Sequence, residues 1–581
     1  MKLWFPALLL PLAACATVPP PAPPVVAAAE AVPSVEVQIL AINDFHGHLE
    51  PPRLSIEAGT PEASVRVPAG GVAHLAAAAK TLRSGHPNSV TVSAGDMIGG
   101  TPLVSALFLD EPTIAAMDLV GVEYNAVGNH EFDKGWPELV RMQRGGCEQH
   151  TTKQPCKLEP FAGAGFRFLA ANVLTPEGRT LFPGTAIKDF GPVRLGIVGM
   201  TLKETATLVT PAGVAGLTFA DEAATANAAV PALKAAGANA IALLIHQGGR
   251  TSGGYNDKSC PDLSGDILPI IDRLDPRIDL VISGHSHVAY ICELARPGRE
   301  RPLLLTSAGR FGTLITDIRL TFAADGTLQG HRADNVIVQG EGYTLGTATI
   351  APVAAFPIFP ADPQTKALVD RYVAAAAPEA ARVVGKLSGP VTRQTSEDRE
   401  QTAGNLIADS QLAAGSAHGA QIAFMNGGGV RTDLVPAADG SVTYGQIFAM
   451  QPFGNSIVVK TLTGAQLKTL LEQQFASGLN SAEQPNILLP SRGFFFAYDL
   501  SRPAGQRIVE MRLNGRRIEP NRRYRVAVNN FIASGGDNFT ILAEGTGTVD
   551  AGLDLDALEA WLKRGASVPE LGRIDDRTPR P

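Results

Sequence analysis

Two α/β layered domains joined by a linker are the architecture this sequence predicts, on three observations. At 581 residues the chain is longer than one ordinary hydrophobic core supports. Its first half alternates short apolar runs with Ala-rich helical stretches, the pattern of strands separated by helices. From about residue 346 that alternation gives way to a Pro- and Ala-rich stretch, and a second α/β-type pattern follows it.

In chain order, apolar runs of strand length fall at 35–42, 89–93, 124–127, 194–198, 240–245, 280–282 and 303–306. Helical stretches fall between them at 72–82, 103–120 and 220–236. Together they make a first domain over 35–345. The Pro- and Ala-rich segment and a helix at 363–377 form a linker over 346–381. The second domain, 382–581, carries helices at 405–414 and 464–474 and strands at 422–425, 456–460 and 524–528.

The N-terminus reads as a targeting segment rather than as part of either domain. Lys2 precedes an apolar stretch at 3–12, too short to span a bilayer, and then Leu12-Ala13-Ala14-Cys15. That tetrapeptide resembles the bacterial lipoprotein cleavage box. The expectation is an exported chain beginning at a lipidated Cys15, anchored to a bacterial membrane and facing the periplasm or the cell surface. Residues 16–34, rich in Pro and Ala, would be its extended tether. An ordinary signal peptide cleaved near Ala16 is the alternative.

The balance of 49 Lys+Arg against 56 Asp+Glu is mildly acidic, and no basic run stands out. A general surface for nucleic-acid polymers or anionic membranes is therefore not expected. An anionic small substrate would have to be held locally. Besides Cys15 there are four cysteines, an even number that suggests two disulfides in an exported chain. Cys147 with Cys156 would close a small polar loop, leaving Cys260 to pair with Cys292. No spacing is CxxC, which argues against a zinc site.

Five motifs end five of the apolar runs: Asp44-Phe45-His46, Gly95-Asp96, Gly128-Asn129-His130-Glu131, a lone His246, and Gly284-His285-Ser286-His287. Ligands of layered α/β folds sit beyond strand carboxyl ends, where all five fall. Residues two apart in extended chain point the same way, so Asp44 with His46, and His285 with His287, can each face one ion. Asp96 offers a bridging carboxylate, Asn129 a neutral oxygen and His246 an imidazole at a strand tip. Seven oxygen and nitrogen ligands suffice for two divalent cations of Zn²⁺, Mn²⁺, Fe²⁺ or Co²⁺ type. Each piece alone has an ordinary reading: a strand-end histidine as a cap, Gly-Asp as a turn. The set in this order does not. His130 adjoins Asn129 and so points away from the ions. If a helix starts near Glu131, Asp133 shares a face with His130 and can orient it. The remaining histidines, His48, His74, His86, His150, His331 and His418, lack such context and read as surface positions, with His48 close enough in sequence to support the site.

Taken together, Ala41-Ile-Asn-Asp-Phe-His-Gly-His-Leu-Glu-Pro51, Gly-Asp96, Gly-Asn-His-Glu-Phe-Asp133 and Gly-His-Ser-His287 resemble the calcineurin-like metallophosphatases, and more narrowly the 5′-nucleotidase and UDP-sugar hydrolase family. The second domain carries the resemblance on through Arg399-Glu-Gln-Thr-Ala-Gly-Asn405, Asn426-Gly-Gly-Gly-Val-Arg431, Gln451-Pro-Phe-Gly-Asn455 and Phe531-Ile-Ala-Ser-Gly-Gly-Asp537, so that it spans about residues 36–575. The resemblance implies a four-layer αββα metallophosphatase domain, with a linker helix leading to an α/β substrate-binding domain. It implies Asp44, His46, Asp96, Asn129, His246, His285 and His287 as ligands of two divalent metals, with His130 and Asp133 as the catalytic pair. It implies that Phe453 and Phe531 sandwich a base, that Asn455 and Asp537 contact the nucleoside, and that Arg399 and Arg431 hold phosphate oxygens. Asn426 and the triple glycine around Gly428 would let the backbone approach the substrate. Some relatives carry Gln where this chain has His287, Asn538 stands in place of a common glycine, and Arg393 lies out of register with further arginines that relatives place near Arg399.

The implied reaction is direct in-line hydrolysis of a nucleoside 5′-monophosphate, with no covalent phosphoenzyme and with motion between the two domains. UDP-sugars are further candidate substrates. A 2′,3′-cyclic-nucleotide phosphodiesterase, a sulfur-ester hydrolase and a non-catalytic nucleotide-binding surface lipoprotein are the rival readings.

Overall fold

The strand Ala240–Ile245 is buried along its whole length, and its side chains alternate between two cores. Ala240, Ala242 and Leu244 join one apolar cluster, while Ile241, Leu243 and Ile245 join another. Val35–Ile42 divides in the same way: Val37, Ile39 and Ala41 enter the first of these clusters, and Leu40 and Ile42 enter a third. The shared cluster is therefore the seam between two stacked sheets, and the outer two are where helices cover them.

This computed structural model describes residues 34–59, 63–298, 300–345 and 348–579, together with Met1. The expected signal segment, Cys15 and nearly all of the tether lie outside the described residues. Among the described residues no helix is long and apolar enough to cross a membrane.

One six-stranded sheet runs in the order Leu328–Ile337, Leu314–Phe322, Val35–Ile42, Ser89–Ser93, Tyr124–Ala126 and Arg167–Leu169. The other runs Ala289–Leu294, Leu303–Ala308, Leu280–Ser283, Ala240–Ile245, Arg194–Met200 and Thr185–Asp189. Helices Val72–Arg83, Glu111–Val120 and Trp136–Arg144 cover the first sheet, and Glu222–Ala235 and Ile267–Ile271 the second. The result is the four-layer αββα arrangement. Neighbouring central strands of each sheet are parallel, so their carboxyl ends gather on one side.

Two expectations are corrected here. The helix expected over 103–120 is broken into Leu103–Ala106 and Glu111–Val120. Leu109 and Asp110 take φ of 57° and 67°, and Pro112 cannot donate into a continuous helix. The break turns the Asp110 carboxylate onto the hydroxyls of Thr101 and Ser105, both at 2.7 Å. His74, expected at the surface, is buried, with Nδ1 donating to the Phe359 carbonyl at 2.7 Å. Both cysteine pairs are bonded as the spacing suggested, Cys147 to Cys156 and Cys260 to Cys292.

The helix Pro363–Ala380 opens on Asp362, whose Oδ1 accepts the Thr365 N–H at 3.0 Å. Its Leu368, Val369, Tyr372 and Ala376 pack into the helix-covered core of the first domain. Beyond it, a mixed five-stranded sheet runs Leu488–Pro490, Ile422–Asn426, Arg523–Asn529, Ser456–Thr463 and Thr546–Leu553, with a four-stranded sheet beside it. Thr402–Gly415, Gly464–Glu472 and Asp554–Leu562 share one large core with these strands.

Leu244 is fully buried in the seam between the first domain's sheets. Leu244→Ala is expected to cost about 3 kcal/mol of unfolding free energy, read as a lowered denaturant midpoint with an unchanged slope.

Candidate active site

Each of the five motifs leaves the end of a parallel strand and turns sharply. Asp44, His46, Asp96, His285 and His287 take φ of 49°, 47°, 52°, 66° and 60°. Left-handed backbone is unusual for these residue types and costs energy, so the surrounding structure has to hold it. Glycine is required at one point between the loops. A Cβ on Gly128 would lie 2.2 Å from Asp96 Oδ1 and 2.6 Å from the Asp96 nitrogen.

The loops bring six of the seven expected ligands into two clusters: Asp44, His46 and His287, and Asp96, His246 and His285. In the first, His46 Nε2 is 3.1 Å from His287 Nε2, and His287 Nε2 is 3.3 Å from Asp44 Oδ1. In the second, His246 Nε2 is 2.9 Å from Asp96 Oδ2. The same Asp96 oxygen is 3.6 Å from His46 Nε2, so this carboxylate lies between the clusters. The seventh, Asn129, places Oδ1 3.1 Å from His285 Nδ1.

The donor set fits two divalent cations. His46 Nδ1 donates to the Gly99 carbonyl and His246 Nδ1 to the Ala94 carbonyl, both at 2.8 Å. In the neutral rings those bonds leave Nε2 as a lone pair aimed at carboxylates and other imidazoles, an arrangement that a bound cation would satisfy. His246 Nε2 is buried, with the Asp96 carboxylate 2.9 Å away. Burial disfavours a charge on His246, but the Asp96 carboxylate outweighs it and holds the ring up to about 10. Without a metal, a proton on His246 takes the cation's place.

Glu131 belongs to none of the ligand clusters, yet it ties the loops together. Its carboxylate accepts the backbone N–H groups of Asp96 and Met97 at 2.9 Å and of Gly128 at 2.8 Å. Residue type and spacing do not show this role, because two of the three donors come from a loop 35 and 34 residues away.

His130 and Asp133 meet across a single 3₁₀ turn, His130–Phe132, with His130 Nδ1 donating to Asp133 Oδ2 at 2.9 Å. The His130 N–H donates to Asp96 Oδ1 at 2.8 Å, which turns the side chain away from the clusters. Burial disfavours a charge on His130, but the Asp133 and Asp96 carboxylates overcome it and raise the pKa. The ring stacks on Phe453 of the second domain, with centroids 5.7 Å apart and planes 14° apart.

A cavity of about 190 Å³ opens between the domains. Asn129, His130, Asp133 and His285 line it from one side; Asn426, Gly428, Arg431, Phe453, Asn455, Phe531 and Asp537 line it from the other. Asn426 is fixed within the wall: its Nδ2 donates to Asp537 Oδ2 at 2.6 Å, and Asn529 Nδ2 donates to its Oδ1 at 2.8 Å. Asn529, two positions before the Phe531 motif, is not among the residues the sequence singles out. Asn538 sits at φ 64°, a conformation natural to glycine and tolerated by asparagine. Arg399 does not line this cavity; its charge acts instead on the Tyr498 hydroxyl. His48 lies beside the first cluster, its ring 3.9 Å from that of Phe311.

Two outcomes follow from this geometry. Glu131→Gln puts an amide NH₂ against backbone N–H groups, and metal affinity is expected to fall about 10- to 100-fold, read as metal retained after dialysis. Because His246 must give up its proton to bind a cation, affinity is expected to weaken as pH falls below that raised pKa. The slope is about tenfold per pH unit between pH 8 and 6, measured by calorimetric titration with Mn²⁺.

Comparison with known proteins agrees with this arrangement. Residues 37–289 match the calcineurin-like phosphoesterase family model, and residues 383–544 match the 5′-nucleotidase C-terminal domain model. The crystal structure of a 5′-nucleotidase precursor from Thermus thermophilus superimposes with a TM-score of 0.74 at 28% identity, covering 93% of this chain and 99% of that one. The 5′-nucleotidase of Bos taurus is 26% identical over 557 residues, which is 91% of this chain and 88% of that protein. An endonuclease of Bacillus subtilis is 28% identical over 503 residues, 86% of this chain, and the chain spans only 37% of that longer protein. The chain belongs to the family that joins a calcineurin-like phosphoesterase domain to a 5′-nucleotidase C-terminal domain.

Proposed function

We propose that this chain is an exported two-metal phosphohydrolase that releases phosphate from nucleoside 5′-monophosphates. One observation carries the reading: a single cavity is walled by Asn129, His130 and His285 on one side and by Arg431, Phe453, Phe531 and Asp537 on the other. A phosphate at the clusters and a base between the second-domain aromatics would belong to one molecule. Phe453 and Phe531 offer stacking surfaces that accept many bases. Arg431 offers a guanidinium to phosphate oxygens. Export is supported by the leading apolar segment, by two disulfides and by the precursor status of the Thermus relative. Lipid anchoring through Cys15 remains part of this proposal.

Asp44, His46 and His287 would hold one cation, and Asn129, His246 and His285 the other, with Asp96 between them. Bound there, the cations supply Lewis-acid charge to the phosphoryl oxygens and lower the pKa of the attacking water. The remaining work falls to side chains. Asp133 holds His130 Nδ1, which leaves the other ring nitrogen to face the cavity. With its pKa raised by the Asp133 and Asp96 carboxylates, His130 keeps its proton to a higher pH than a free imidazole and can give it to the departing O5′. Stacking on Phe453 links the position of that proton to the second domain, so substrate closure and proton delivery are coupled.

Phosphate release from AMP is the direct test, using the protein without residues 1–34, before and after chelation and with Mn²⁺ or Zn²⁺ restored. Metal-restored release is the expected result; cleavage of 2′,3′-cyclic AMP in its place would redirect the reading to a phosphodiesterase. His130→Ala should lower kcat about 10²- to 10⁴-fold while metal content persists. Loss of metal in that variant would make His130 a ligand.

A further inference from the structure

Part of the second-domain wall of the cavity comes from a crossover. Residues 530–545 connect Arg523–Asn529 to Thr546–Leu553, the two strands that pair with Ser456–Thr463 on either side. Phe531 and Asp537, which line the cavity, both lie on this connection. Its backbone is poorly suited to holding itself. The helix Asn530–Ala533 is a single turn, and Gly535, Asp537 and Asn538 take φ of 98°, 54° and 64°. A Cβ on Gly536 would lie 2.4 Å from the Phe531 ring, so loop and ring rest against each other.

The strand that the connection crosses carries one residue out of pattern. Val458 and Leu462 face the large core of the second domain, and alternation puts Lys460 on the same face. Lys460 is only 8% exposed. Its ammonium donates to the Ala533 carbonyl at 2.9 Å and to the Leu542 carbonyl at 2.8 Å, one on each side of Asp537. The Ala533 carbonyl ends a one-turn helix and has no acceptor role left within it. Gly545 leaves room for the lysine stem, since a Cβ there would come within 3.1 Å of Lys460 Cβ. Burial lowers the Lys460 pKa, and no carboxylate among the described residues offsets that cost. Neutral side chains also touch the later half of the connection: Ser477 Oγ donates to the Asn538 carbonyl at 2.7 Å, and Asn480 Nδ2 to the Asp537 carbonyl at 2.9 Å. Lys460 ties the two halves together.

We propose that Lys460 is a positioning residue for the nucleoside: it clamps the connection on both sides of Asp537 and so sets Phe531 and Asp537 at the spacing a base and its ribose require. This rests on the nucleotide reading of the site and adds the buried cation on which nucleoside affinity depends. Lys460 belongs to neither metal cluster and does not line the cavity, so phosphate held at the clusters is indifferent to it.

Calorimetric binding of adenosine and of inorganic phosphate to the Mn²⁺-loaded protein tests this without turnover. In Lys460→Met, which keeps an unbranched stem and removes the charge, adenosine should bind about tenfold more weakly while phosphate stays within about twofold. Lys460→Gln, with an amide donor on a shorter stem, is the second variant if the first does not fold, and the same split is expected of it. A lysine that serves stability alone would lower the melting temperature and leave both affinities unchanged; that result overturns the proposal, as does an equal loss of both. A native chain that binds phosphate but not adenosine overturns the nucleotide reading and the proposal with it. Failure of the native chain to bind either probe overturns the phosphohydrolase reading as well.

Discussion

The position of one carboxylate governs the rest of this molecule. Asp96 Oδ2 stands between His46 and His246, its Oδ1 fixes the backbone of His130, and its own backbone nitrogen is fixed by Glu131. Two candidate metal-binding clusters, the His130–Phe132 turn and Glu131 thus meet at a single residue. Glycine at 128 is what lets a second loop come close enough to share it. The fold supplies the rigidity. Asp96 follows Ser89–Ser93, a central strand with parallel neighbours on both sides and buried side chains on both faces. Left-handed backbone at five ligands is tolerable only on such a support.

Division of labour between the domains follows from what each can hold rigidly. Stacked parallel sheets deliver charged loops at strand ends, and a metal site needs that fixed geometry. The second domain contributes aromatics and amides from short turns, including the 3₁₀ turn Gly427–Gly429, the helix Asn530–Ala533 and the turn after Met450. The Phe453–His130 stack is where these contributions touch. Arg431 stands at the same junction, lining both the interdomain cavity and a second one that reaches His287.

The first domain's central strands were legible because their apolar runs are continuous, a pattern that burial on both faces imposes. The hairpin Leu314–Phe322 and Leu328–Ile337 was not recognised. Its strands mix Asp317, Arg319, His331 and Arg332 with apolar residues, so only the Asp325-Gly326 turn marks it in the sequence. The long helix at 103–120 failed for another reason. Pro112 already interrupts the helical pattern, and the hydrogen bonds that Asp110 accepts from Thr101 and Ser105 show why the chain bends just before it. His74 read as a surface residue because its partner, the Phe359 carbonyl, lies far along the chain.

The sequence by itself determined the chemistry: which residues could serve as oxygen and nitrogen ligands, that they follow strands, and that a histidine and an aspartate three apart could act together. These are properties of residue type and short-range spacing, which the chain carries before it folds. Only the tertiary structure decided which candidate ligands cluster together, that Asp96 lies between the clusters, and that Glu131 holds their loops. It also decided which arginines line the cavities beside the clusters. Arg399 has the family's motif around it yet lies away from the cavity, whereas Arg310 and Arg393, outside the motifs, flank Arg431. The reason is physical. A guanidinium reaches several ångströms from its backbone and follows the local electrostatic field, so its destination depends on the packing of two domains rather than on its neighbours in sequence.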